Sequence, residues 1–212
     1  MVTGPSGAGK GTLIQRVLPQ FDELAATVSA TTRARRPGED DGVHYWFLTR
    51  DEFDRRIDAG EFLEWVDYVG NRYGTLRSEI DRLRAQGKAP LLELETEGAL
   101  RVKRRVENAV TIFVNAPVEE LERRLRDRAT ESTGEIGDRI AMARRQLGER
   151  DDFDHVVEND DLDRATEELA AIVARKLDGA ATMPSPRRVR VATRSPARTT
   201  ASGSTRRSRA SS

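Results

Sequence analysis

The stretch GPSGAGKGT at residues 4–12 constrains the fold more than any other part of the chain. Gly4-Pro5-Ser6-Gly7-Ala8-Gly9-Lys10 satisfies G-x-x-x-x-G-K, a turn that carries a strand into a helix. Its glycines let backbone N–H groups converge on anionic oxygens, and Lys10 reaches the outer phosphates. The helix that opens near Gly11 aims its positive end at the same place. A glycine-rich turn with no ligand would need neither Lys10 at this spacing nor a helix behind it. The loop therefore predicts a nucleoside triphosphate, bound through residues 4–12. Where the motif has Ser or Thr to place a hydroxyl on Mg²⁺, this chain has Gly11, followed by Thr12. Magnesium is expected to be held mainly by ATP oxygens and water, which it keeps readily, and no protein metal site is expected.

Strands and helices alternate behind the loop. Helical patterns cover 13–21, 50–60, 76–87, 117–129, 136–150 and 161–177. Pro117 opens one of them, and Gly60 and Gly87 close two others. Strand patterns cover 26–30, 45–48, 62–74, 89–95, 110–116 and 155–159. The alternation predicts an α/β fold with a central parallel sheet covered by helices on both faces. The strand before a phosphate loop normally runs through the centre of such a sheet and has about five residues. Only Met1-Val2-Thr3 precedes this loop, so the sequence predicts that the natural start lies upstream.

Composition bounds the rest. The 212 residues contain no cysteine, which excludes disulfides and thiolate metal sites. No apolar run is long enough to cross a membrane, and no basic-then-apolar leader opens the chain. A cytoplasmic protein is expected. The zero net charge hides an asymmetry, because residues 179–212 hold eight arginines and no acid, leaving 1–178 at −8. That basic Ser/Arg-rich end cannot bury enough apolar surface to fold and is expected to be disordered. It could contact nucleic acid or an acidic partner weakly, or simply be solvated. Residues 1–178 are expected to form one domain.

A second cluster narrows the chemistry: SATTRARRPGEDDGVHYWF at 29–47, then GEFLEWVDYVGNRYGT at 60–75. Arg33 and Arg36 offer planar, multi-donor cations suited to a phosphate dianion. Tyr45 and Tyr73 can each add a hydroxyl. Guanine shows two adjacent donors, N1–H and its amino group, which one carboxylate can accept; Glu64 is the candidate. A hydroxyl from Ser29 or Thr75 can serve the remaining edge. Adenine would leave that carboxylate unpaired, worth a selectivity on the order of 10⁴. Singly, the arginines could be a solvated basic stretch, the tyrosines could pack in a small sheet, and Glu64 could alternate out to solvent.

With the loop, these motifs make residues 1–177 resemble the guanylate kinase family, which moves a phosphoryl group from ATP to GMP. The resemblance implies a P-loop kinase fold with an inserted GMP-binding subdomain at about 33–88 and a mobile lid at about 124–140. It assigns Ser29, Arg33, Arg36, Tyr45, Glu64, Tyr73, Gly74 and Thr75 to GMP, with Glu39 supporting the arginines. It places Glu95, at the end of the strand LLELE, on the guanine or near the metal water. The family usually has Asp there and Gln at Glu97, so the longer Glu95 must shift its contact. Arg128 and Arg139 match lid arginines that would stabilise charge in the transition state beside Lys10 and Arg36. Asp127 and Ala129 stand where the family has glycines. Arg124 could join the lid or pair with Glu120 on a helix surface. Asn159 in ENDDL matches a contact near the adenine, or caps a helix. No general base is required, because the acceptor phosphate is already an anionic nucleophile. His44 and His155 are read as a residue beside the acceptor site and a strand-edge residue. Two other activities fit parts of the pattern: a non-catalytic module of this fold that binds a phosphorylated or acidic peptide, and a kinase acting on a phosphorylated sugar.

Overall fold

The computed structural model describes residues 1–127 and 133–181, without the side chains of 133–136, 180 and 181. Arg128 and most of the expected lid turn therefore lie outside the described residues, as does the basic stretch from 182 onward. The main sheet has parallel pairs throughout. β1 (Val2–Thr3) pairs with β8 (Ile112–Asn115), which pairs with β9 (His155–Glu158). β2 (Leu24–Ala26) pairs with β7 (Ala89–Leu91). The chain past β7 stays extended and bridges Glu93 to Val2, with Val2 N donating to Leu92 O at 2.8 Å and Leu94 N to Val2 O at 3.0 Å. The order is β2-β7-β1-β8-β9. Short β1 thus occupies the middle, and Met1 extends it: its ammonium donates to Val110 O at 2.6 Å and its carbonyl accepts from Ile112 N at 2.8 Å.

Alternate residues of these strands feed two cores, as pleating requires. Ile112, Val114 and Val157 pack with Leu13, Ile14 and Val17 of α1 (Lys10–Val17) and with Leu169, Ile172 and Val173 of α7 (Leu162–Ala181). On the other face, Phe113, Leu92 and Leu94 meet Ile80 of α3 (Arg77–Ala85), Ala99 and Val102 of α4 (Thr96–Lys103), and Phe153. Both faces are covered, which is why LLEL reads as an almost continuous apolar run. α1 is shorter than the pattern over 13–21 implies, because Pro19 removes a helical N–H and turns the chain into a 3₁₀ segment at Leu18–Gln20.

A second sheet stands beside the first, in the order β4-β3-β6-β5: β3 (Ala30–Thr31), β4 (Trp46–Phe47), β5 (Phe62–Tyr68) and β6 (Asn71–Leu76). Its own small core joins Ala30, Phe53, Phe62 and Leu76, with the Phe53 ring from α2 (Arg50–Asp58) stacked 4.3 Å from Phe62. Two sequence expectations are corrected here. The strand expected at 26–30 is the crossing between the two sheets: Thr27 N still donates to Leu91 O at 2.9 Å, but Val28 N is taken at 3.1 Å by the buried Glu79 carboxylate. The run at 62–74 is a hairpin whose two turn residues, Val69 and Gly70, both have positive φ, 46° and 75°. α4 was not expected at all; its TEGALRVK sequence continues the acidic strand end without a capping side chain to announce it. α5 (Val118–Asp127) and α6 (Thr133–Leu147) stand on either side of residues 128–132 in the chain.

Candidate active site

The phosphate loop is shaped by the backbone. Gly4 has φ 137°, and a Cβ there would lie 2.3 Å from the Val114 carbonyl oxygen. Gly9 caps α1 at φ 88°, and a Cβ there would lie 2.4 Å from Asn159 Nδ2. Both positions need glycine for conformation and for space. Lys10 opens α1 and is buried, and its Nζ donates to Gly4 O at 2.8 Å and Pro5 O at 3.2 Å. Two helices lay arginines on the loop. Arg124 of α5 donates to Gly7 O at 3.1 Å and pairs with Glu120 at 2.7 Å, the helix-surface pairing expected of it. Arg139 of α6 donates to Ser6 Oγ at 2.8 Å.

The second sheet supplies the opposite wall. Arg33 grips Glu39 with both terminal nitrogens, at 2.7 and 3.0 Å, and lies over the Tyr45 ring at 5.4 Å. Arg36 N donates to the same carboxylate at 2.8 Å. The Arg33 bond holds the Glu39 carboxyl below its usual range. Glu39 thereby fixes one guanidinium and the backbone carrying the other. Tyr45 and Tyr73 meet edge-on, 6.1 Å apart. Burial pushes the Tyr45 hydroxyl up to about 12, so it is a donor at neutral pH.

Glu64 lies deeper. It is 4% exposed, on β5 opposite Thr75 of β6. Burial pushes its carboxyl up to about 7, and neighbouring Thr75 and Arg101 offset only part of that. Gly98 of α4 makes room for it, since a Cβ there would stand 2.6 Å from Glu64 Oε2. Gly74 lets β6 cross close to β5; a Cβ there would meet Glu64 O at 2.8 Å. Thr75 is fully buried, with its side chain and backbone against the Glu64 carboxyl. At the end of the main sheet, Gln146 Nε2 of α6 donates to Glu95 Oε2 at 3.3 Å. Burial raises the Glu95 carboxyl above its ordinary range, with Lys10 and Gln146 opposing.

These walls enclose a cleft of about 740 Å³ lined by the phosphate loop, by Arg33 and Arg36, and by Glu64. A sequence model of the family described as guanylate kinase matches residues 1–176. The guanylate kinase of Rubrobacter xylanophilus is 49% identical over 180 residues, covering 84% of this chain and 94% of that protein. The guanylate kinase of a Synechococcus strain is 46% identical over 174 residues, 82% of this chain and 80% of its own. The chain belongs to the guanylate kinase family. The crystal structure of guanylate kinase from Anaplasma phagocytophilum superposes with a TM-score of 0.68 at 28% identity, covering 83% of this chain and 85% of that one.

Within this guanylate kinase fold, Ser6, Gly7, Gly9, Lys10, Gly11, Thr12, Ser29, Arg33, Arg36, Glu39, Tyr45, Glu64, Tyr73, Gly74, Glu95 and Arg139 line the one cleft. Gly4, Pro5 and Ala8 stand behind the loop's surface, and Thr75 stands behind Glu64. Asn159 is 3% exposed and its Nδ2 donates to Ala8 O at 2.7 Å, bracing the loop from beneath. His44 is a turn residue, its Nδ1 accepting from Asp40 N at 2.9 Å. Gly98, Arg101 and Gln146 went unread in the sequence. Gly98 sits one turn into a helix that was itself missed. Gln146 lies seven residues from Arg139 and therefore on the same helical face, a spacing that could have found it.

Proposed function

We propose that this chain transfers the γ-phosphoryl group of ATP to GMP, giving ADP and GDP, with the cleft residues in the roles below. The observation that carries the reading is the buried Glu64 carboxylate, lining the same cleft as the phosphate loop, Arg33 and Arg36. A carboxylate there is costly to bury and is satisfied by a base edge with two adjacent donors, which is guanine. Arg33, Arg36, Tyr45 and Tyr73 hold the GMP phosphate, and Ser29 and Thr75 serve the base. Residues 4–12 cradle ATP, with Lys10, Arg36 and Arg139 on the charge that develops. Arg128 belongs to the same proposal. A GMP phosphate oxygen attacks directly, so the protein's work is alignment, charge stabilisation and exclusion of water.

The cleft suits a magnesium ion carried by the nucleotide. Its donors are oxygens, from Thr12, Glu93 and Glu95, and the described residues hold no cluster of three His, Asp or Glu that would bind a bare ion. Glu93 stands nearest the position of the missing hydroxyl, its Oε2 3.7 Å from where a Gly11 Cβ would be. When bound with ATP, the ion neutralises phosphate charge. No helix of the described residues is long and apolar enough to cross a membrane, which is compatible with the cytoplasmic placement this reading carries.

The test is ADP formation by the purified chain with Mg·ATP and GMP, dGMP, IMP or AMP in turn, with Arg36→Ala as control. Turnover with GMP, poor turnover with AMP and loss in Arg36→Ala are expected. A folded chain that turns over no acceptor yet binds an acidic phosphopeptide would replace the kinase with the binding module.

A further inference from the structure

Glu64 sits on a strand with few holds. β5 is the outermost strand of the second sheet, so within that sheet β6 alone fixes it. The other hold comes from α4, which starts at the acidic end of the main sheet and packs on β5. Two α4 residues make the junction. Gly98 abuts the Glu64 carboxylate, since a Cβ there would stand 2.6 Å from Oε2. Arg101 lies one turn further on the same helical face and donates from a terminal nitrogen to Trp65 O at 2.6 Å. Trp65 is the residue directly after Glu64.

The rest of the Arg101 side chain is tied down as well. Its other terminal nitrogen pairs with Glu97 of the same helix, and its cation lies 6.0 Å from the centre of the Trp65 ring. A planar guanidinium can serve a carboxylate, a carbonyl and a ring together, which a point cation does less well. Arg101 also acts on Glu64 through its charge. Thr75 of β6 bonds the same carboxyl from its side chain and its backbone, and Glu95 at the end of the main sheet repels it. Of these three groups, Arg101 is the one that brings positive charge.

We propose that Arg101 is a specificity-determining positioning residue: by clamping β5 to α4 it keeps the Glu64 carboxylate aimed at the guanine of GMP. Arg101 acts through Glu64, and it makes and breaks no bond in the reaction. This assignment rests on the phosphotransferase reading above.

Arg101→Met keeps most of the stem and removes the charge and the donors. At pH 7, KM for GMP should rise roughly tenfold, the scale for a recognition group held slightly out of place. KM for ATP and kcat at saturating GMP should stay within about twofold, because only the seating of guanine has changed. The kcat/KM for AMP should also stay within about twofold, so the preference for GMP narrows. The pH midpoint of kcat/KM for GMP is set near 7 by Glu64. It should move up by about half a unit to one unit, because loss of a nearby cation disfavours the charged carboxylate. In a Glu64→Gln background, the same substitution should change KM for GMP by less than about twofold. Arg101→Lys keeps the charge and one donor, and should hold the midpoint with KM for GMP within about threefold of wild type.

A merely structural arginine would lower the melting temperature and weaken GMP and ATP alike at every pH. That result, an unmoved midpoint with unchanged KM for GMP, or an equally large effect in the Glu64→Gln background would overturn the assignment. An Arg101→Lys variant with a displaced midpoint would overturn it too, and that variant carries the test if Arg101→Met does not fold. Failure of the wild-type chain itself to phosphorylate GMP would overturn the phosphotransferase reading instead, so the two failures are distinguishable.

Discussion

The phosphate loop is built from main chain, with glycines at φ 137°, 89° and 88° and a lysine folded onto its carbonyls. The seat around Glu64 is built from side chains, contributed by β5, β6 and α4 and lined with a carboxylate that burial pushes up to about 7. On the proposed function, the difference lies in what each must recognise. Phosphate is the same from every side and is met by converging N–H dipoles, which a short local turn provides. A purine edge is directional and needs a donor or acceptor at a fixed depth, which several elements must place together. The loop's identity is therefore local and the seat's is not, and substitutions should fail in different ways at the two ends.

The largest effect is expected at the loop. Lys10→Ala removes its positive side chain from developing charge and should cut kcat by about 10²- to 10³-fold, measured by ADP release. Glu64→Gln should act on choice instead of rate, compressing the preference for GMP over AMP by roughly 10²-fold, read as the ratio of kcat/KM values. The same carboxylate sets a pH dependence. Guanine is accepted by the ionised form, so KM for GMP should rise as pH falls below about 7 and stay flat in Glu64→Gln. The stability sign is opposite. A carboxyl raised from 4.5 to about 7 by folding favours the folded state below the unfolded value and loses that contribution as pH rises through about 7. At pH 8 nucleotide-free Glu64→Gln should be more stable than wild type by on the order of 2 kcal/mol, and the gain should vanish near pH 4.

A matched pair of glycines sharpens the contrast. At Gly4 an added methyl meets the Val114 carbonyl, which is backbone, and at Gly98 it meets the end of the Glu64 side chain. Gly4→Ala should cost about 3 kcal/mol or more in chemical denaturation, because the site cannot yield. Gly98→Ala should leave the fold nearly intact and raise KM for GMP by about tenfold, with KM for ATP unchanged, because the carboxylate can swing away at the expense of its aim. Equal loss of stability at both would dissolve the distinction. The smallest effect is expected at the hairpin tip, where Val69 holds φ 46° with a β-branched side chain. Val69→Asn should add about 0.5–1 kcal/mol of stability, since Asn tolerates that conformation.

Much of this was legible in order along the chain. The loop motif fixed its own strand–turn–helix, the alternation behind it implied a parallel sheet, and the arginines, tyrosines and Glu64 were named from their chemistry. What escaped were features whose meaning depends on a partner far away. The segment at 26–30 carries one continuous pattern yet serves two sheets, because Glu79, 51 positions from Val28, takes its N–H. The bracing role of Asn159 was not legible, because only the fold returns it beneath Ala8, 151 positions earlier. Gly98 carries no local signal of the carboxylate it faces, Gln146 carries only its helical spacing from Arg139, and Tyr68 was one more aromatic in a strand until the fold set its hydroxyl beside Ser6.

The sequence by itself determined the parts that recognise charge through local geometry: a glycine turn needing φ above zero, a lysine at fixed spacing, and an arginine, Arg33, with its acid six residues on. Tertiary structure alone decided depth and adjacency. It sank Glu64 until its ionisation became costly, and it brought α6 back so that Arg139 touches Ser6 of the phosphate loop and Gln146 touches Glu95. Dihedral preference is written into single residues, whereas desolvation belongs to whatever the rest of the chain packs around them.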